Sequence, residues 1–162
     1  MVERTASKDG TIQKRVLVRA SPGTVFLALT QPDQLSEWFC ERADVDARVG
    51  GSVVALWRHG RQECEGRALF RRLEPSSLVE LEWTDEGMGQ AGIHQRHTLT
   101  YTIRSRKDGC EVIMCDEGAP LPDPEAMKDL EEGWISVLRD LKEHCESLAR
   151  AARPRNARRV SA

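Results

Sequence analysis

The chain has 162 residues, 40% of them hydrophobic and 31% charged, and carries a net charge of −2. That length suits one domain with a single core, because about 150 residues bury roughly 70% of their extended-chain surface. Five of the 24 basic residues (Arg150, Arg153, Arg155, Arg158, Arg159) lie at the end with no acid among them, leaving 19 basic against 26 acidic residues elsewhere; such a body argues against a broad nucleic-acid surface, which needs clustered positive charge.

Residues 1–10 are polar, lack the apolar core of a signal peptide, and read as a flexible N-terminus. From Thr11 to Ala20 the chain alternates, with Ile12, Val16 and Val18 on one face and Gln13, Arg15 and Arg19 on the other, which predicts a first strand. Ser21-Pro22 starts a helix, since the serine oxygen can accept a free backbone N–H and proline is preset for the first turn. Pro32-Asp33 starts a second, short one, with Leu35, Trp38 and Phe39 as its apolar residues.

Turn-punctuated strands follow over Ser52–His59, Gln62–Leu73 and Leu78–Thr84. Val53, Ala55 and Trp57 share a face, as do Cys64, Gly66, Ala68 and Phe70, and Val79, Leu81 and Trp83, while their alternates are mostly charged. One face of the sheet is therefore covered and one is wet. Asp85–Gly92 is glycine-rich and reads as a mobile loop. Two more strands, His97–Arg104 and Cys110–Glu117, are joined by a Lys107-Asp108-Gly109 turn, with His97, Leu99, Tyr101, Ile103, Val112 and Met114 inward. Prolines 120, 122 and 124 lead into a helix from Asp123 to Arg150, whose stripe of Met127, Leu130, Trp134, Val137, Leu138, Leu141, Cys145 and Leu148 recurs at steps of three and four. The Arg/Ala/Pro end beyond it reads as a solvated, disordered tail over 150–162.

Strand, two helices, about six to seven antiparallel strands and a long helix make an α+β arrangement with the helices on one face. The segments "SPGTVFLALTQPDQLSEWF", "GGSVVALW", "EGRALFRRLEPSSLVELEW" and "EEGWISVLRDLKEH" resemble those of the START-like (SRPBCC) superfamily. The branch they are most similar to is that of the activators of the heat shock protein 90 ATPase. The resemblance spans 11–149 and implies a helix-grip fold: a curved sheet wrapped around the C-terminal helix, with a cavity between them. It also implies binding of lipid-, sterol- or polyketide-like molecules, with cyclase or hydrolase chemistry in some members and chaperone contact in others.

Trp38, Trp57, Trp83 and Trp134 are the first ligand-binding candidates, although aromatic residues fill any core; all four lie on elements that the helix-grip arrangement directs at the cavity. Gly133, costly inside a helix, reads as packing closely or leaving room beside Trp134. Phe70, Met114, Met127 and Leu130 complete the apolar wall. His97, Tyr101 and Asp116 are the inward polar groups, able to orient a ligand hydroxyl or carbonyl, with His97 and Tyr101 as its anchors. Asp116 stands where the resembled family often has histidine.

No metal site is expected, because His94 and His97 have opposite parity on a strand and His144 and Cys145 diverge on a helix. No nucleotide or hydrolase fingerprint occurs, so no cofactor and no catalytic residue is assigned. Five cysteines, an odd number without a CxxC pair, fit a reducing compartment. With no stretch of ~20 apolar residues, the expected address is cytoplasmic. The expected function is a non-enzymatic module that binds a small apolar molecule, as monomer or homodimer. The alternatives are a co-chaperone-like protein-interaction domain and a polyketide cyclase- or hydrolase-like enzyme.

Overall fold

The computed structural model describes residues 10–84, 96–118 and 123–153, together with the backbone of 3–5. Strands β1 (Glu3–Thr5) and β2 (Thr11–Val18) precede helices α1 (Pro22–Thr30) and α2 (Pro32–Trp38). Strands β3 (Arg42–Val45), β4 (Ser52–His59), β5 (Gln62–Glu74), β6 (Leu78–Thr84), β7 (His97–Arg106) and β8 (Gly109–Glu117) follow, and α3 (Pro124–Ala152) completes the order. The eight strands among the described residues form one antiparallel sheet in the order β1-β2-β8-β7-β6-β5-β4-β3. This is the helix-grip α+β architecture. Two strands were not legible in the sequence: β1 falls in the polar first ten residues, and β3 has four residues, too few to display an alternation. The glycine-rich stretch after Thr84, His94, Pro120, Pro122 and the tail beyond Arg153 lie outside the described residues.

The local chemistry explains the helices. Ser21 caps α1 by accepting the Thr24 N–H at 3.1 Å, and Asp123 caps α3 by accepting that of Glu125 at 3.0 Å, each followed by proline in the first turn. Gln31 separates α1 from α2 in an extended conformation (φ −95°, ψ 133°), as expected for the residue before a proline. A register shift between Phe70 and Arg72 gives β5 a bulge, which adds local twist and bend.

The core lies between the concave face and the helices, with Val16, Phe70, Val79, Leu99, Val112 and Met114 all buried. Helix α3 meets it unevenly. Leu138, Leu141 and Cys145 are fully buried. Polar contacts hold the same half: Lys142 Nζ donates to the Leu17 carbonyl at 2.8 Å, Glu146 accepts the Arg19 N–H at 3.0 Å, and His144 bonds Gln34 of α2 at 2.7 Å. None of the residues from Pro124 to Val137 is buried. Leu130 is 38% exposed, so its expected place in the cavity wall is corrected: this half of the helix meets the sheet through Met127, Glu131 and Trp134 instead. Gly133 is likewise exposed, and a methyl group there would meet nothing within 4 Å; it neither packs closely nor makes room for Trp134.

Truncation should separate the two halves of α3. In urea denaturation, Leu138→Ala and Leu141→Ala should each cost ~2–5 kcal/mol, Leu130→Ala less than ~0.5 kcal/mol, and Gly133→Ala should gain up to ~1 kcal/mol. A Leu130→Ala loss equal to that of Leu141→Ala would mean that the N-terminal half is packed.

Candidate functional site

The mouth of the fold is built around four aromatic rings. Trp38 ends α2 and Phe39 caps it, while Trp57 and Trp83 stand on the covered faces of β4 and β6. Phe39 lies 5.3 Å from Trp38, 5.2 Å from Trp57 and 6.2 Å from Trp83, and Trp57 lies 6.4 Å from Trp83. These are tilted and edge-on arrangements that complement the ring quadrupoles. Backbone carbonyls satisfy two indoles: Trp38 Nε1 donates to Ala28 at 2.9 Å and Trp57 Nε1 to Phe39 at 2.7 Å. Gly66 forms the floor beneath them, where a Cβ would sit 2.7 Å from Trp57 Cζ3 and 3.0 Å from Trp83 Cζ3.

Beside this cluster is a cavity of about 20 Å³, walled by Leu29 and Leu35 of the helices, Trp38, Phe39, and Val53, Leu81, Trp83, Leu99 and Tyr101 of the sheet. Such a space holds one water molecule. Two of its lining groups lack hydrogen bonds. The Trp83 indole N–H is sealed from solvent without an acceptor. No described residue bonds the Tyr101 phenol, which is 3% exposed. Burial, and secondarily the Asp116 charge, hold that phenol above its ordinary pKa.

A polar group lies between β2, β8, β7 and the first half of α3. Asp116, buried on β8, accepts from His97 Nδ1 through Oδ1 at 2.8 Å and from Trp134 Nε1 through Oδ2 at 2.8 Å. The indole N–H of Trp134 can only donate, so Oδ2 is an acceptor, and a single proton lies between Oδ1 and His97 Nδ1. Lys14, also buried, has Glu131 Oε2 at 3.8 Å from its Nζ. Elsewhere, burial pushes the Cys110 thiol up to about 11 and the Cys145 thiol up to about 12, the latter aided by Cys110 and Glu146. Both are protonated and poor nucleophiles.

The expected site residues thus divide. Trp38, Trp83 and Tyr101 line the cavity, and Trp57 abuts it through Trp83. Phe70 and Met114 are fully buried, and Met127 packs on the outside of the core. His97 and Asp116 are brought together, but Tyr101 is not bonded to them. Trp134 stands apart from the other tryptophans at Asp116, so the expected convergence of all four is corrected to three tryptophans and Phe39. Sequence reasoning passed over Phe39 and Lys14. The alternation of Ile12, Val16 and Val18 was the signal for Lys14, which occupies the missing inward position. No cluster of metal-binding side chains occurs among the described residues, and no described helix is long and apolar enough to cross a membrane.

Residues 19–146 match the family described as Activator of Hsp90 ATPase homolog 1-like protein. No curated protein matches the chain. Among solved structures it is similar to a Chromobacterium violaceum protein (24% identity, TM-score 0.68), covering 85% of this chain and 97% of that one. A Rhodobacter sphaeroides protein (16% identity, TM-score 0.73) is covered to 99% by 94% of this chain. The Aha1 dimer from Colwellia psychrerythraea (19% identity, TM-score 0.66) is covered to 96% by 84% of it.

Gly66→Ala should force Trp57 and Trp83 apart, cost ~1–3 kcal/mol and alter the near-ultraviolet circular dichroism; an unchanged spectrum would show that the rings do not rest on this position. Alkaline titration tests Tyr101. The unfolded chain loses this proton at the ordinary value of 10 while the folded chain keeps it, so stability falls as pH rises past 10. Tyr101→Phe should flatten that fall in denaturation measured between pH 9 and 11, and an unchanged slope would place the phenol in water.

Proposed function

The chain belongs to the Activator of Hsp90 ATPase homolog 1-like family, and from that premise we propose that it binds a small apolar molecule carrying a hydrogen-bond acceptor, without chemical conversion. Family and fold are those of a ligand-binding or co-chaperone-like module. The observation that carries the finer reading is the sealed Trp83 indole N–H in the cavity wall. A buried donor left without an acceptor costs ~1–3 kcal/mol, and a carbonyl or ether oxygen of a ligand would remove that cost. Tyr101 offers a second polar contact further along the wall, four residues from His97, the cross-strand neighbour of Trp83, or about 13 Å along β7.

Size narrows the ligand. Sites for drug-sized ligands measure roughly 300–1,000 Å³, so a sterol or long lipid does not fit the observed space, and even a small aromatic body requires Trp38 or Phe39 to swing. Both are only partly buried, and they form the outer wall. The reading includes a domain over 11–149 and a reducing, cytoplasmic address, the latter supported by five thiols that stand unpaired. A co-chaperone-like protein-interaction role draws support from the family description and from the dimeric Colwellia structure, and it is the reading that stands if the cavity takes no ligand.

Intrinsic tryptophan fluorescence should respond saturably to short aryl ketones such as acetophenone and weakly to long-chain ones. Trp83→Phe should leave the free protein as stable or more so, while reducing ketone affinity about tenfold, the equivalent of ~1.4 kcal/mol. The reading fails if no small ketone saturates the signal and Trp83→Phe lowers stability.

A further inference from the structure

The outer face of the sheet is charged and, over β4 and β5, balanced: Arg58, Arg67, Arg71 and Arg72 each have an acidic side chain within 3.8 Å. The corner formed by β2, β8 and β7 departs from that pattern. Arg15 and Arg106 share the single carboxylate of Glu111, at 3.8 and 3.0 Å, while Arg104 and Lys107 are exposed and form no ion pair among the described residues. Glu111 lies in register between Leu17 of β2 and Arg104 of β7. All three point outward, since their neighbours Val16, Val112 and Ile103 are buried. Leu17 is 59% exposed. An apolar side chain thus stands in water among Arg15, Arg104, Arg106 and Lys107, with Glu111 and Asp108 as the acids beside them. A phosphate surface would satisfy these cations and leave the leucine wet, whereas carboxylates arranged around an aliphatic group answer both.

The chain carries such a surface itself. On the first half of α3, Glu125, Asp129 and Glu132 are exposed, recur at steps of four and three, and form no ion pair among the described residues; Lys128 is the one base between them. Leu130, 38% exposed, lies on the adjoining face of the helix. Gly133 follows it by three residues. A glycine there weakens the helix, and nothing within the molecule requires it, because an added Cβ would meet no atom within 4 Å. A missing side chain does, however, let an outside group approach the helix closely.

We propose that the Leu17 corner of one copy docks on the first half of α3 of a second copy. Leu17 packs against Leu130 and over Gly133, and Arg104 and Lys107 meet Asp129 and Glu132. The two faces differ, so the contact is heterologous, and each copy in a pair keeps one face of each kind. A net charge of −2 puts little long-range repulsion between copies. No residue of the cavity wall takes part, so the proposal is independent of the ligand reading.

The test is sedimentation equilibrium of the full chain. At low ionic strength its average mass should rise with concentration above that of the monomer, and about 1 M salt, which shortens the screening length to roughly 3 Å, should reverse the rise. Arg104→Glu and Asp129→Arg, both at exposed positions, should each lower the association constant at least about tenfold without changing the melting temperature. An equal mixture of the two variants should associate again, because each supplies the face the other lacks. Gly133→Gln should raise the melting temperature and still weaken association. A native chain that keeps the monomer mass up to its highest soluble concentration overturns the proposal. So do single variants that associate like the native chain, a mixture that stays monomeric, or Gly133→Gln associating undiminished.

Discussion

Asp116 joins three elements through one buried carboxylate, tying the first half of α3 to the paired strands β7 and β8. A carboxylate that is 4% exposed keeps its charge only if its oxygens are occupied. Here the occupants come from two other elements, the imidazole of β7 and the indole of α3. The bond to Trp134 matters most, because the first half of α3 has no fully buried apolar residue and rests on the core through the partly buried Met127 and Trp134. One hydrogen bond of 2.8 Å thus ties Trp134, and with it this part of α3, to β8.

The remainder of the interior follows the opposite rule. Around the cavity almost every group is apolar, and the indoles of Trp38 and Trp57 are satisfied by carbonyls of the α1–α2 region. These bonds couple the helical pair to the aromatic wall, so a movement of α2 is felt directly at the rings. Gly66 allows the wall to lie flat on the sheet. Trp83 is the exception, with a polar atom enclosed and no partner. Local rules tend to be broken where a protein has work to do, and this breach belongs to a residue of the cavity wall.

Period and punctuation made most of the fold legible. The strands Ser52–His59 and Leu78–Thr84 coincide with β4 and β6, because half-buried strands alternate strictly and Gly-Gly or Pro-Ser-Ser bound them. The short strands escaped, since three or four residues carry no period. The site was less readable. Alternation assigns a face to a residue but says nothing of how far along the helix the covering extends, so Leu130 and Trp134 looked equivalent although one is exposed and the other bonds Asp116. Lys14 escaped for a related reason: a charged residue within an apolar register is ordinarily read as a break in the pattern, whereas a flexible stem lets it remain inside. The pairing of His97 with Asp116 depends on the alignment of β7 with β8, which no local pattern announces.

The sheet ends on its shortest members, three residues of β1 on one side and four of β3 on the other. Unpaired strand edges are templates for adding a neighbouring chain, and brevity is one of the ways proteins blunt them. The long strands β5, β7 and β8 are all interior, so their hydrogen-bonding capacity is spent within the molecule. Among the described residues, the outer edge is left to these two short strands and to the ends of β2 and β4 that they do not cover, Val16–Val18 and Trp57–His59, so a neighbouring chain has only a few residues of ladder to extend on either side.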